Sequence, residues 1–325
     1  MKLDAANYRE LFEGYLLVDC VVRSPEILYF ILEQAWDEDM DWRLKSGLQT
    51  RIVGYFDEPG DPGWDKVDMT GIHRMQAGVS YVPKEQFIGV SLNDQVYAWG
   101  SGDAALEDQL EGGRAATGRD IGMRGGVSKL RTIAGTLWLA GSGRTVGQRL
   151  GRNAWFWHDA IPYRSLMDDG GFRDLDGFTQ SDIYAVGGQG DVWHFDGANW
   201  QPLAFPSDMT LETVCCGGDG EVYIGAASGT LFKGCHNHWK TIEHGVTQPF
   251  RDMVWYQDRL WCTCDQGVWT LEGDSLGRAD IPHDVRVCAG HLSVGAGALL
   301  VAGHGGAALH DGETWQRLIN FADFN

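Results

Sequence analysis

A chain of 325 residues with 45 Gly, 9 Pro, 14 Trp and 43% hydrophobic residues can bury a sizeable core and has the punctuation for many tight turns between short strands. Its 45 acidic against 26 basic residues give a formal charge of −19, so nucleic acid and anionic membrane surfaces are not expected partners. Seven cysteines, an odd number in a large chain, argue against a disulfide framework and for a reducing, cytoplasmic setting.

The opening MKLDAANYRELFEGYLL places Asp4, Glu10 and Glu13 where an export signal would be uncharged, and residues 5–14 suit a short helix or an added strand. No later apolar run approaches the roughly 20 residues that span a bilayer. Leu16–Val22 and Ile27–Glu33 read as strands, followed by Arg51–Phe56 and Trp64–Met69. Ile88–Leu110 carries a strand at Val96–Trp99, and Val127–Pro162 carries one at Leu137–Ala140 with a long turn after it. From Phe172 the pattern becomes regular. An inner strand leads to an apolar second strand at Ile183–Val186, a Gly-rich turn, a third strand at Val192–Phe195, the Asp196-Gly197 hairpin turn and a Trp-bearing fourth strand. Three further copies follow, the last restoring Asp311-Gly312 and Trp315.

These units keep a beat. Tyr97, Trp138, Tyr184, Tyr223, Trp261 and Val301 recur at intervals near forty residues, and Trp200, Trp239 and Trp315 keep the same period on the fourth strands. A period near forty built from short strands and glycine turns specifies an all-β fold, a single β-propeller of about seven four-stranded blades. The approximate blades are 15–70, 78–121, 127–165, 172–205, 210–244, 249–282 and 285–319, within one domain spanning 1–325. Six blades plus a distinct N-terminal segment is the alternative. The recurring glycines and Asp-Gly-x-x-Trp elements over roughly residues 85–320 resemble bacterial propellers of the sialidase-like (Asp-box), YVTN and WD-repeat superfamily. The resemblance is architectural: Asp196-Gly197 and Asp311-Gly312 lack the Asp-box spacing, and Gly-His and Trp-Asp pairs do not recur. It implies a fold and leaves activity open.

Charge is unevenly distributed. Residues 1–112 carry −12, residues 113–165 carry +7 and the remainder −14. In the first unit Trp36 and Trp42 flank Asp37, Glu38, Asp39 and Asp41. The second offers Asp103, Glu107, Asp108 and Glu111, and the third an arginine turn with Arg144 and Arg149. Long charged turns on one face of a repeat array read as a binding side, with tryptophans as anchors and carboxylates steering a basic protein partner. A cytoplasmic immunity or inhibitor protein against a basic toxin or nuclease has this profile, acting without catalysis and without cofactor. The alternatives are a scaffold subunit of a larger assembly, or a hydrolase or lyase holding an anionic substrate at the channel mouth with Arg173, Arg251 and Arg286, read as starting three inner strands. Cys262 and Cys264, with His236 and His238, match no closed zinc spacing, so no metal is expected.

Overall fold

The computed structural model describes residues 3–35, 49–57, 63–72, 74–114, 120–165 and 170–324. Seven four-stranded antiparallel sheets follow one another along the chain, each a meander in sequence order. Blade 1 is Tyr15–Ser24, Ile27–Gln34, Gln49–Phe56 and Gly63–Thr70. Blade 2 is Gln76–Ser80, Gln86–Val90, Val96–Gly100 and Asp103–Leu106. Blade 3 is Val127–Ile133, Thr136–Gly141, Thr145–Gly151 and Ala154–Trp157. Blade 4 is Phe172–Thr179, Asp182–Gly187, Asp191–Phe195 and Trp200–Pro202. Blade 5 is Leu211–Cys216, Val222–Ala226, Leu231–Cys235 and His238–Ile242. Blade 6 is Asp252–Tyr256, Arg259–Cys264, Gly267–Glu272 and Ser275–Arg278. Blade 7 is Gly290–Gly295, Ala298–Gly303, Gly306–His310 and Trp315–Asn320. Inner strands pack on one another in ring order, and that of blade 7 packs on that of blade 1. The fold is a seven-bladed β-propeller.

The forty-residue beat has a packing cause. The buried side chains form seven apolar clusters, each filling the interface between two adjacent blades. A central strand therefore presents alternate residues to two interfaces. In blade 4, Ile183 and Ala185 face blade 3 while Tyr184 and Val186 face blade 5. Trp200, Trp239 and Trp315 on outer strands each seal the interface with the preceding blade. The turns before Trp200 and Trp315 are held by their aspartates: Asp196 accepts from the Ala198 and Asn199 amides, Asp311 from those of Glu313 and Thr314. Gly197 and Gly312 follow at φ +90° and +107°, a backbone region that disfavours a side chain.

Two units depart from the sequence reading. Tyr97 lies on the third strand of blade 2, whereas the other five beat residues lie on second strands. Both strands of blade 2 are buried throughout their centres, so their apolar patterns are alike and periodicity cannot order them. In blade 3 the long arginine turn is a short turn at Gly143-Arg144 followed by the third strand, Thr145–Gly151. A small hairpin, Gly112–Arg114 with Asp120–Gly122, lies between blades 2 and 3.

Among the described residues no strand is shared between blade 7 and blade 1, and side chains close the ring. Helix α1 (Ala5–Leu11), capped by the Asp4 carboxylate accepting from the Asn7 amide at 2.7 Å, lies over the seam. Tyr8 stacks on Phe324 at 4.4 Å, and Phe12 meets Phe321, Phe30 and Trp64. Arg51 donates to the Glu10 and Leu11 carbonyls and pairs with Asp68, tying the end of the helix to blade 1. Phe12→Ala should cost about 3–5 kcal/mol in urea denaturation, with hydrogen exchange accelerating first at the blade 1–blade 7 seam. Uniform acceleration around the ring would refute this account of closure.

Candidate functional site

In a meander of four strands, second-to-third turns and blade-to-blade connections share one face, and the remaining turns share the other. Trp36, Asp37, Glu38, Asp39, Asp41 and Trp42 lie outside the described residues, between the second and third strands of blade 1. Asp108 and Glu111 are exposed on the connection from blade 2 to blade 3. Asp103 does not join them: it begins the outer strand of blade 2 on the opposite face, paired with Arg152 at 3.1 Å and Lys84 at 3.7 Å. Three other expected contact residues are consumed internally. Arg149 and Glu107 form a bidentate pair at 2.5 and 2.8 Å, both side chains 2% exposed, bridging blades 2 and 3. Arg144 pairs with Asp191 through two nitrogens at 2.6 and 2.8 Å and lies over Trp193, bridging blades 3 and 4. Arg149 and Glu107 are thereby buried within the ring, and Arg144 largely so.

The three expected arginines do not form a ring at the starts of inner strands, though Arg251 and Arg286 line one cavity. Arg173 and Arg251 are exposed, and Arg286 lies on a short helix, α2 (His283–Arg286), not on an inner strand. The neighbours of the first two, Asp174 and Asp252, turn inward and are almost fully buried. With Asp19 and Asp176 they repeat one device: one carboxylate oxygen accepts the next amide of its own strand, the other an amide of the following blade. Asp19 joins Cys20 to Ala77, Asp174 joins Leu175 to Val214, Asp176 joins Gly177 to Cys216, and Asp252 joins Met253 to Leu292. Lys129 and Arg131 reach these carboxylates from blade 3. Lys129 bonds Asp252 at 2.8 Å, while Arg131 bonds both Asp174 and Asp252 at 2.8 Å.

No local motif in the sequence joins these central residues to one another. A periodic signal is present, since Asp174, Thr213 and Asp252 keep the period of 39, and Thr213 donates to Asp174 at 2.8 Å. Among the described residues no three His, Cys, Asp or Glu side chains are grouped as metal ligands. No helix among them is long and apolar enough to cross a membrane.

Burial alone would raise the Asp252 carboxyl, but Lys129 and Arg131 outweigh it and hold it well below its ordinary value. Its stabilisation is therefore fully present above the unfolded value near pH ~3.9 and is lost as pH falls further. Asp176 has the opposite sign. Burial pushes it from 3.8 up to about 6, only partly offset by Arg131 and its two amide donors, so its ionisation costs stability as pH rises through that window. Asp252→Ala leaves two buried cations short of an anion and should cost about 3–5 kcal/mol in urea denaturation. Arg251→Ala removes a pair with Asp265 whose partners are 43% and 72% exposed, and should cost under about 1 kcal/mol. The gap between wild type and Asp252→Asn should narrow as pH is lowered below about 4; a constant gap would refute the ionic role.

No family model matches the sequence. Among solved structures the chain is similar to the WD40 β-propeller domain of Doa1, with TM-score 0.58 at 10% identity, covering 91% of this chain and 96% of that one. It is equally similar to the WD40 repeats of RRP9, with TM-score 0.58 at 12% identity, covering 94% and 92%. At those identities the likeness is one of fold. The immune protein Tsi7 of Pseudomonas aeruginosa is 32% identical over 258 residues, 78% of this chain and 80% of that protein. With about four-fifths of both lengths aligned at that identity, the chain belongs to the family of the immune protein Tsi7.

Proposed function

We propose that the protein is a bacterial immunity protein that binds a toxin and blocks it by association, without turnover, in the cytoplasm. Membership of the Tsi7 family carries the reading. The seven free cysteines support a reducing compartment. The formal charge of −19 supports a basic partner surface, drawn in by long-range attraction.

The capturing carboxylates are drawn from the connection between blades 2 and 3 and from the segment between the second and third strands of blade 1. Asp108 and Glu111 are exposed, on the connection between blades 2 and 3. Asp37, Glu38, Asp39 and Asp41, between the second and third strands of blade 1, complete the acidic set, with Trp36 and Trp42 as apolar anchors. Glu107, Arg144 and Arg149 drop out of the interface because they are spent within the ring.

Co-production with the toxin made by the same cell should restore growth. Changing Asp37, Asp39, Asp41 and Asp108 to Asn and Glu38 and Glu111 to Gln should slow association about tenfold at low salt and flatten its salt dependence, read by surface plasmon resonance. Unchanged rate and salt slope would reject acidic capture. Failure of the wild type to protect would reject the immunity role.

A further inference from the structure

A cavity of about 640 Å³ opens between blades 6 and 7, on the face that carries the second-to-third turns. Arg251 stands at the head of blade 6, Arg278 ends its outer strand, and Arg286 belongs to helix α2, which links the two blades. His283, His291 and His304 add three imidazoles, and Asp265 is the one carboxylate among the described lining residues. So cationic a lining runs against a chain with a formal charge of −19.

The arginines here are not spent as they are elsewhere. Arg131, Arg144 and Arg149 each commit two or more bonds to buried carboxylates. Among the described residues Arg251, by contrast, pairs with the exposed Asp265, through a single nitrogen at 2.9 Å. Arg278 lies over the face of Trp269 at 5.2 Å, with no carboxylate paired to it among the described residues. Arg286 donates one nitrogen to the Ile281 carbonyl at 3.1 Å, while its buried Nε meets no acceptor among the described residues. A buried guanidinium N–H without an acceptor is costly, and planar forks of such donors match carboxylate and phosphate oxygens. The volume falls in the range of small-ligand sites.

We propose that this crevice binds a compact polyanion carrying carboxylate or phosphate groups. Arg286 is the inner anchor, and Arg251 and Arg278 clamp from the rim. His291 forms the floor and lies 3.6 Å from Asp19, so an occupant abuts the central charge network. The inference stands apart from toxin capture, which uses a surface of opposite sign. The anion is either a free small molecule or acidic side chains presented by a partner, and both offer the same oxyanion chemistry.

Isothermal titration calorimetry of the full chain at low ionic strength tests it, with citrate and pyrophosphate as free probes and tetra-aspartate as the presented-carboxylate probe. Saturable one-site binding of at least one probe is expected. It should weaken about tenfold or more in the Arg251→Gln/Arg278→Gln double variant and in Arg286→Gln, and persist in Arg259→Gln, which lies outside the crevice. Binding of citrate or pyrophosphate alone assigns a free ligand, whereas binding of the peptide assigns a presented group. No saturable binding, binding untouched in the double variant, or equal loss in Arg259→Gln overturns the site. Growth protection that survives in the double variant separates this result from the immunity reading.

Discussion

The rest of the architecture depends on a buried charge network that crosses the centre of the ring. Lys129 and Arg131, on the inner strand of blade 3, bond Asp252 in blade 6, and Arg131 also bonds Asp174 in blade 4. Apolar interfaces between adjacent blades specify only nearest neighbours, so small changes of tilt could accumulate around seven of them. A contact from blade 3 to blade 6 removes that freedom. Its ions are desolvated, so its net contribution to stability is modest compared with the cost of removing one partner. The interblade clusters supply the stability; the network supplies the fixed diameter.

Much of this was legible in the sequence, and the failures have physical causes. Outer strands need one large ring to seal the preceding interface, which is why Trp200, Trp239 and Trp315 mark blades 4, 5 and 7 reliably. Central strands are apolar on both faces, so the third strand of blade 2 passed for its second. The N-terminal segment suits helix or strand by its own sequence, and the packing of Tyr8 and Phe12 against the C-terminal aromatics accompanies the helix. At the channel the sequence leaves a choice of one residue. In Arg173-Asp174 and Arg251-Asp252 either neighbour could face inward on a pleated strand. The cations that pair with these aspartates, Lys129 and Arg131, come from blade 3, next to Asp174 in blade 4 but remote from Asp252 in blade 6, and no local pattern connects them.

The central network and two separate buried pairs also consume much of the most basic stretch of the chain. Residues 113–165 hold an excess of +7, yet Lys129, Arg131, Arg144 and Arg149 are all largely buried against carboxylates. Such pairing consumes positive and negative charge together. The net −19 is therefore carried by groups outside these pairs, and segment-by-segment counting misplaces the field.

With its centre cross-braced, the ring makes its outer connections the natural place for recognition to vary. The connection from blade 2 to blade 3 carries exposed Asp108 and Glu111, and the crevice between blades 6 and 7 carries Arg251, Arg278 and Arg286. Both lie on the face of the second-to-third turns, on opposite sides of a seven-member ring. Two patches of opposite sign on a rigid face discriminate by orientation as well as by charge, because a partner docked backwards would set like charges together. Lys129 and Arg131 tie blade 3 to Asp174 in blade 4 and Asp252 in blade 6, so a network buried from solvent helps to set the spacing of the charges displayed on the blades it joins.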